Sequence, residues 1–485
     1  MPIRGDVLTG ADKQPRMNFL EAVWKYRIEQ ESAEAQRRRM LRFNGRSRSF
    51  PLHLRTYEYS APLRPPVKIA FPDSLLLRYR AIIPTLLLFP VLHVGAADGI
   101  PALTTGTAPL EGPTLLGDLG GLRSGFAQHG LELEARVIAD GSAYSRDGVV
   151  TGERNGIRYL IEAGATINFE KFIGLAGAGS LTATWQSLTG DDLRGETGVL
   201  QRETRLNADN RAQVGRLFYV QPFFDGSFIV KAGKDEVVRD FARNPFAAEF
   251  LNASARSEPT AYAMPTFPDS ATMAMAALNI SGWVARFGMY DGRSVTTGKE
   301  TGSDWFDIPD SDVFMIAEAG FTNEDARRGH QSGMVVGAWQ HTGTFTGFDG
   351  RTESDVRGYY LQGDLRLTNE AGTRTPQGLA GWMQLGLSDE NFSVYHRHLA
   401  LGLIWRGLIP TRDGDAIGIS QSWLETSRVT GASTDANERV LEIFYSFKAA
   451  GWLSLQPDVQ WFTHPGGDSA RADLFVGSLR GVVIF

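Results

Sequence analysis

The sequence predicts an all-β chain: a transmembrane antiparallel β-barrel of sixteen strands, with short helices in the N-terminal segment and a long constriction loop. Three observations carry this expectation. The first is the stretch 451–485, which reads as two alternating strands around one turn. Leu453, Leu455, Pro457, Val459 and Trp461 fall on one face of its first strand and Ser454, Gln456, Asp458 and Gln460 on the other, because successive strand side chains point to opposite sides. His464, Pro465, Gly466, Gly467 and Asp468 supply the turn. Phe475, Leu479, Val483 and Phe485 then share one face of the last strand. A chain that spends its final residues so completely in a strand suits a closed sheet, since lipid tolerates no open edge.

The second observation is period. From Leu131 onward the alternation is two: Tyr159, Ile161, Ala163, Ala165, Ile167 and Phe169 interleave with Arg158, Glu162, Thr166 and Asn168. The third is length. About fifteen such segments run to roughly nine to thirteen residues, the span of a tilted membrane strand, whereas strands of soluble proteins average about five or six. Bacterial single-chain barrels hold even strand numbers, which makes sixteen. The connections are unequal, as in outer-membrane barrels. Some are minimal, such as Phe224-Asp225-Gly226 and Ala449-Ala450-Gly451, and others long, such as 234–277 and 291–312. No 40-residue repeat supports a propeller.

Composition agrees and excludes several function classes. The chain has 54 Gly in 485 residues, 42% hydrophobic residues and no Cys, so thiol catalysis, disulfides and Cys-based zinc sites are out. Its eight His include one close pair, His396 and His398, which would share a strand face and read as exposed or lumenal histidines rather than as a metal pair; no metal and no cofactor are expected. The net charge of −6 is uneven: residues 1–80 carry 16 basic and 8 acidic residues, leaving −14 for the remainder. An acidic body argues against nucleic acid as a partner.

Taken in order, residues 1–74 are basic, with Arg37-Arg38-Arg39, and Pro-rich. They are expected to be a spurious or disordered extension, with translation starting later than Met1. Residues 75–97 have the form of a secretory signal peptide, with Arg78-Tyr79-Arg80, a 12-residue apolar core from Ala81 to Leu92, and small residues at the end. That core is too short to cross a bilayer as a helix. Residues 98–116 are a linker, and 117–485 the barrel domain. Within it, 117–130 predicts a short helix begun near Asp118 and stopped at Gly130.

The longest loop carries the candidate site. Asn244 before Pro245 reads as a helix start, and Phe246 and Phe250 lie four apart. Arg239, Asp240, Arg243, Glu249 and Asn252 offer donors and acceptors to line a constriction. Planar polar groups beside aromatic rings suit a sugar, whose hydroxyls take hydrogen bonds while its C–H face packs on a ring. Asp118 and Arg123 are expected to seat the N-terminal helix, and Trp461, Tyr445 and Phe485 to join an interfacial aromatic girdle.

Enzyme signals are poor. Thr296-Thr297-Gly298-Lys299 lacks the first glycine of a phosphate loop, and Asp191, Asp192 and Glu425 have no glycosidase partner. Ser420 and Ser422 share a region with His396 and His398, but no strained nucleophile turn accompanies them. The expectation is that the chain is not an enzyme.

Several stretches resemble the carbohydrate-selective porins (OprB family) of bacterial outer membranes: GDLGGLRSGFAQHGLEL at 117–133, FFDGSFIVKAGKDE at 223–236, NPFAAEFLNAS at 244–254, FMIAEAGF at 314–321, RGLIPTRDGDAIGIS at 406–420 and GWLSLQPDVQWFTHPGGD at 451–468. Leu119 stands where the family shows Trp. The resemblance implies a sixteen-stranded barrel passing glucose-like sugars by passive diffusion through a loop-made constriction. Its partners would be sugar solutes, outer-membrane lipid and the barrel-assembly machinery, the last through the strand ending at Phe485. Two alternatives stay open at this stage, a general or cation-preferring porin and an outer-membrane component of polysaccharide export.

Overall fold

A computed structural model describes residues 113–485 apart from 149–153, 192, 299, 304–311, 326–328, 371–376 and 430. The extension, the signal peptide and nearly all of the linker lie outside the described residues. Sixteen strands form one closed antiparallel barrel. They are β1 (Leu131–Tyr144), β2 (Asn155–Asn168), β3 (Ser180–Gly190), β4 (Arg211–Phe223), β5 (Phe228–Asp235), β6 (Ala271–Ile280), β7 (Trp283–Asp291) and β8 (Val313–Asp325). The second half follows as β9 (Gly329–Thr346), β10 (Thr352–Arg366), β11 (Gly378–Ser388), β12 (Tyr395–Arg406), β13 (Ala416–Thr426), β14 (Glu438–Ala450), β15 (Leu453–Thr463) and β16 (Leu474–Ile484). Each strand pairs with its sequence neighbours, and β16 closes on β1 with register from Arg136↔Ile484 to Tyr144↔Val476. Among the described residues no helix is long and apolar enough to cross a membrane; the strands cross it.

The alternation sorts side chains as the sequence implies. On β15, Gln456, Asp458 and Gln460 are buried towards the lumen, while Val459 and Trp461 lie exposed on the outer face. Trp461 stacks on Phe475 of β16, ring centroids 5.5 Å apart. One strand departs from the sequence expectation. The stretch left between the loops expected at 234–277 and 291–312 belongs to two strands, because Ser281 (φ 52°) and Gly282 (φ 87°) turn the chain, as left-handed residues do in two-residue hairpins. The long loop therefore ends before Ala271 rather than at Ala277, and β6 is the strand absent from the count of fifteen. Its inward residues Met273, Met275 and Ala277 are apolar, so no polar face marked it.

The two rims differ. The short connections 224–227, 281–282 and 451–452 share one rim with the N-terminal helix, and 191–210, 236–270 and 292–312 emerge at the other. β5 is short. Its last residue, Asp235, pairs with Ala271 and lies beside Arg216, well inside the end of β4. The chain thus leaves the wall part-way down the barrel, and the loop enters the lumen directly.

Much of the glycine serves this filling. A Cβ on Gly402 would meet the Trp382 ring at 2.3 Å and one on Gly418 the Phe444 ring at 2.2 Å. Both rings lie flat on the wall, and Phe250 of the long loop packs edge-on against them, at 5.4 and 4.9 Å between centroids.

Candidate constriction site

Two long loops fold inward and are tied to distant wall strands. Arg158 of β2 holds the loop 191–210 by donating to main-chain oxygens of Leu206 (3.0 Å), Asp191 (2.8 Å) and Ala208, and to Asn210 Oδ1 (2.9 Å). The same loop reaches β14, where the Glu438 carboxylate accepts from the N–H groups of Leu200 (2.9 Å) and Gln201 (2.7 Å). Thr204 donates to Asp140 at 2.6 Å, and Asp140 is also held by Arg480 of β16.

The loop 236–270 spans the lumen. At its start, Lys231 Nζ sits 2.6 Å from both Asp235 and Asp240, fully buried. Glu318 of β8 accepts the Ala242 N–H at 2.7 Å, and the Val237, Phe241 and Ala242 side chains are buried among Met273, Tyr290, Phe314 and Trp339. At the far side Glu442 of β14 accepts the Leu251 N–H at 2.6 Å. β14 lies across the barrel from β5 in the strand order, so a loop touching both crosses the channel.

Where the loops meet the wall there is a cavity of about 340 Å³ lined by Arg136, Arg202, Arg205, Arg216, Arg239, Arg243, Arg256 and Arg480 with Glu134 and Glu162. A second cavity of about 280 Å³, lined by Asp240, Arg286, Glu324, His330 and Asp364 among others, shares Arg239 and Arg243 with it. These volumes lie near the small end of ligand pockets, which fits a small solute.

One side of the first cavity is an alternating ion ladder. Arg205 contacts Glu236 (3.0 Å), Glu236 contacts Arg239 (3.3 Å), Arg239 contacts Glu162 (3.7 Å), and Glu162 pairs with Arg136. The ladder takes Arg205 from one inward loop, Glu236 and Arg239 from the other, and Glu162 and Arg136 from β2 and β1. Burial works against charge on Arg239, but Glu236, Glu162 and Asp235 outweigh it and hold its pKa above the ordinary value. The Arg205 guanidinium lies 4.5 Å over the Phe267 ring. Fixed donors, fixed acceptors and an adjacent ring face are what a polyol needs to exchange water for protein without the wall reorganising.

The sequence-predicted residues divide. Arg239 and Arg243 line both cavities and Asp240 the second. Glu249 pairs with Arg406 at the short-turn rim. Asn252 is buried; it accepts from Ser254 N–H at 3.0 Å, capping the helical turn Ala253–Arg256, and its amide donates to Gln460 Oε1 at 3.1 Å. Neither Glu249 nor Asn252 is among the residues lining the cavities. Asp118 accepts from Ser124 N–H (2.7 Å) and Oγ (2.8 Å). Arg123, on the helix Leu122–Gln128, donates to the main-chain oxygens of Leu133 (3.0 Å) and Phe485 (2.7 Å), joining that helix to the seam of the barrel. Sequence reasoning missed Arg136, Glu162, Arg205, Glu236 and Arg256. For Arg205 alone there was a legible signal, the loop 191–210, as long as an inward loop and carrying three Arg and two Glu.

The Ser–His region resolves into Ser422 Oγ, His398 Nε2 (2.9 Å) and Glu258 Oε2 on Nδ1 (3.0 Å). It has the order of a catalytic triad, but the His398 and Glu258 side chains are fully buried and Ser422 also donates to Gln201. The group pins both inward loops to β12 and β13.

A family model described as carbohydrate-selective porin, OprB family, matches residues 154–485. Porin B of Pseudomonas aeruginosa is 21% identical over 422 residues, covering 76% of this chain and 91% of that protein. The high-pH structure of Pseudomonas putida OprB superposes with a TM-score of 0.68 at 16% identity, covering 78% of this chain and 100% of that one. The low-pH structure gives 0.51 at 15%, covering 77% and 100%. At these identities the solved structures share the fold.

Proposed function

The chain belongs to the family of carbohydrate-selective porins of OprB type, and from that premise we propose that glucose-like sugars pass through it by diffusion along the ladder Arg205–Glu236–Arg239–Glu162–Arg136. It is an outer-membrane barrel and a channel rather than an enzyme, and the solute's own gradient drives the flow. The observation that carries the route is the ladder itself, assembled from both inward loops and the wall at the cavity they enclose. Alternating fixed charges offer hydroxyls both donors and acceptors, while their mutual pairing keeps the desolvation of a neutral solute low.

Liposomes carrying the refolded barrel test this. Glucose should enter faster than a zwitterionic amino acid of similar size and much faster than larger sugars. R239Q and E236Q should narrow the glucose preference. Equal entry of equal-sized solutes in wild type and variants alike refutes the assignment.

Residues 75–97 are proposed as the signal peptide and 1–74 as no part of the exported protein, on the strength of the charged flank and apolar core. N-terminal sequencing of protein from the outer membrane checks both: a start near Asp98 is expected, and an intact 1–80 refutes them. The aromatic Phe485 after β16 is proposed as the contact for the barrel-assembly machinery, so F485A should lower the yield of folded barrel in cells.

A further inference from the structure

The ladder leaves charge over. Among the described residues, three guanidinium groups on the first cavity have no carboxylate within ion-pair distance. Arg202 has only the Asn207 carbonyl at 3.5 Å, Arg243 only the Arg239 carbonyl at 2.9 Å, and Arg256 makes no hydrogen bond or ion pair at all. The neighbouring acid of Arg202, Glu203, takes Tyr144 and Asn207 on one oxygen at 2.9 Å each, forms no ion pair with Arg202, and is not among the residues lining the cavity. Against these three stands one acid, Glu134, held only by Thr184 at 3.3 Å. The other acid on the lining, Glu162, is already taken by Arg136 and Arg239. Arg256 is the centre of the excess. It is half-buried on the turn Ala253–Arg256, and burial, with Arg205, Arg480, Arg136 and Arg239 around it, presses its pKa well below the ordinary value. A guanidinium so placed stays charged and is relieved by an anion more than by a neutral group.

We infer that this cavity seats a carboxylate, so that the channel passes monosaccharides bearing one acid group (aldonates and uronates) as well as neutral sugars, with Arg256 as the contact. This rests on reading the cavity as the sugar path. The body's net negative charge does not oppose it, because a pore selects on its lining rather than its total.

The test is the reversal potential of the protein in planar bilayers under a gradient of potassium gluconate, with glucose-driven liposome swelling on the same preparation. Gluconate is the bulkier ion, so a gluconate-to-potassium permeability ratio above one requires attraction in the pore. We expect that ratio in wild type, falling by about threefold or more in R256Q and further in R256E, an estimate from one charge a few ångströms from the path in a partly aqueous site. A ratio at or below one with normal glucose entry overturns the inference and leaves the porin reading intact. A ratio above one that R256Q, R256E and R202Q all leave unchanged overturns the assignment to these arginines. Absence of glucose entry from folded barrel overturns the sugar path and the inference together. Heat modifiability on gels confirms that each variant is a folded barrel before it is scored.

Discussion

Glu318 is the wall residue on which the long inward loop most visibly depends. Its buried carboxylate accepts the Ala242 N–H at 2.7 Å, the Tyr360 hydroxyl at 2.7 Å and Arg286 at 3.0 Å. Ala242 is itself held at φ 51°, a conformation that a residue with a Cβ keeps only when its surroundings enforce it. E318A orphans a buried N–H, at about 1–3 kcal/mol, and frees the Tyr360 hydroxyl, at about 1 kcal/mol. The Arg286 side chain is 22% exposed, so its lost partner adds only about 0.5–1 kcal/mol. The seated loop is therefore destabilised by about 2.5–5 kcal/mol, which at about 1.4 kcal/mol per decade makes its release about 60 to 4,000 times more frequent. The barrel ladder is untouched. Single-channel recording should show larger and noisier conductance in E318A, and liposomes should admit larger sugars. E318Q keeps an acceptor for Ala242 and should lie close to wild type in both. Unchanged conductance and size cut-off in E318A would mean that the loop is held elsewhere and would refute the reasoning.

Four further outcomes follow from the same contacts. F250A removes the ring seated on Trp382 and Phe444 and should lower the unfolding free energy of the loop by about 3–5 kcal/mol, read as faster proteolysis within 236–270. K231M leaves buried Asp240 without its lysine and Asp235 with Arg216 alone, and should cost about 3–5 kcal/mol, seen as a lower yield of heat-modifiable barrel; because the cluster is buried, added salt should not rescue it. S422A should leave glucose entry within about twofold of wild type, and neither protein should hydrolyse an activated ester. The bonds from Ser124 hold the Asp118 carboxyl below its ordinary pKa, so this tie to the first turn of the helix is present above the ordinary carboxylate range and lost as pH falls through the lowered value. Proteolysis at residues 118–128 should accelerate at that acid edge and be fast at all pH in D118A.

The barrel was legible because its physics is local. Alternation along β15 and β16 is enforced by lipid on one side and a polar lumen on the other, so Val459 and Gln460 announce their faces directly. Where the lumen is filled by protein that rule lapses. Met273 and Met275 of β6 face Phe241 rather than water, and the strand loses its polar half and merges into the neighbouring loop. The predicted loop helix fails for a related reason. Asn244 does cap Pro245–Ala247, but Phe246 and Phe250 are placed by rings and His330 on the wall rather than by a continuous helix, so the chain takes a short 3-10 turn and then a bend.

The site was legible only by loop, not by residue. Arg239 and Arg243 on the one hand and Asn252 on the other are indistinguishable in sequence, all polar residues on one long connection. What separates them is whether their partners leave them facing the cavity. Gln460 and Ser254 hold Asn252 away from it and Arg406 claims Glu249, whereas Arg239 meets Glu236 and Glu162 on the cavity surface and Arg243 meets only the Arg239 carbonyl. Ser422 and His398 make the same point from the opposite side. Their spacing suggested chemistry, yet Glu258 and Gln201 enter from two loops and convert the group into a fastening. In a barrel whose lumen is closed by its own loops, a polar residue is functional when its contacts leave it on the cavity surface, and that placement is a property of contacts between residues far apart in the sequence.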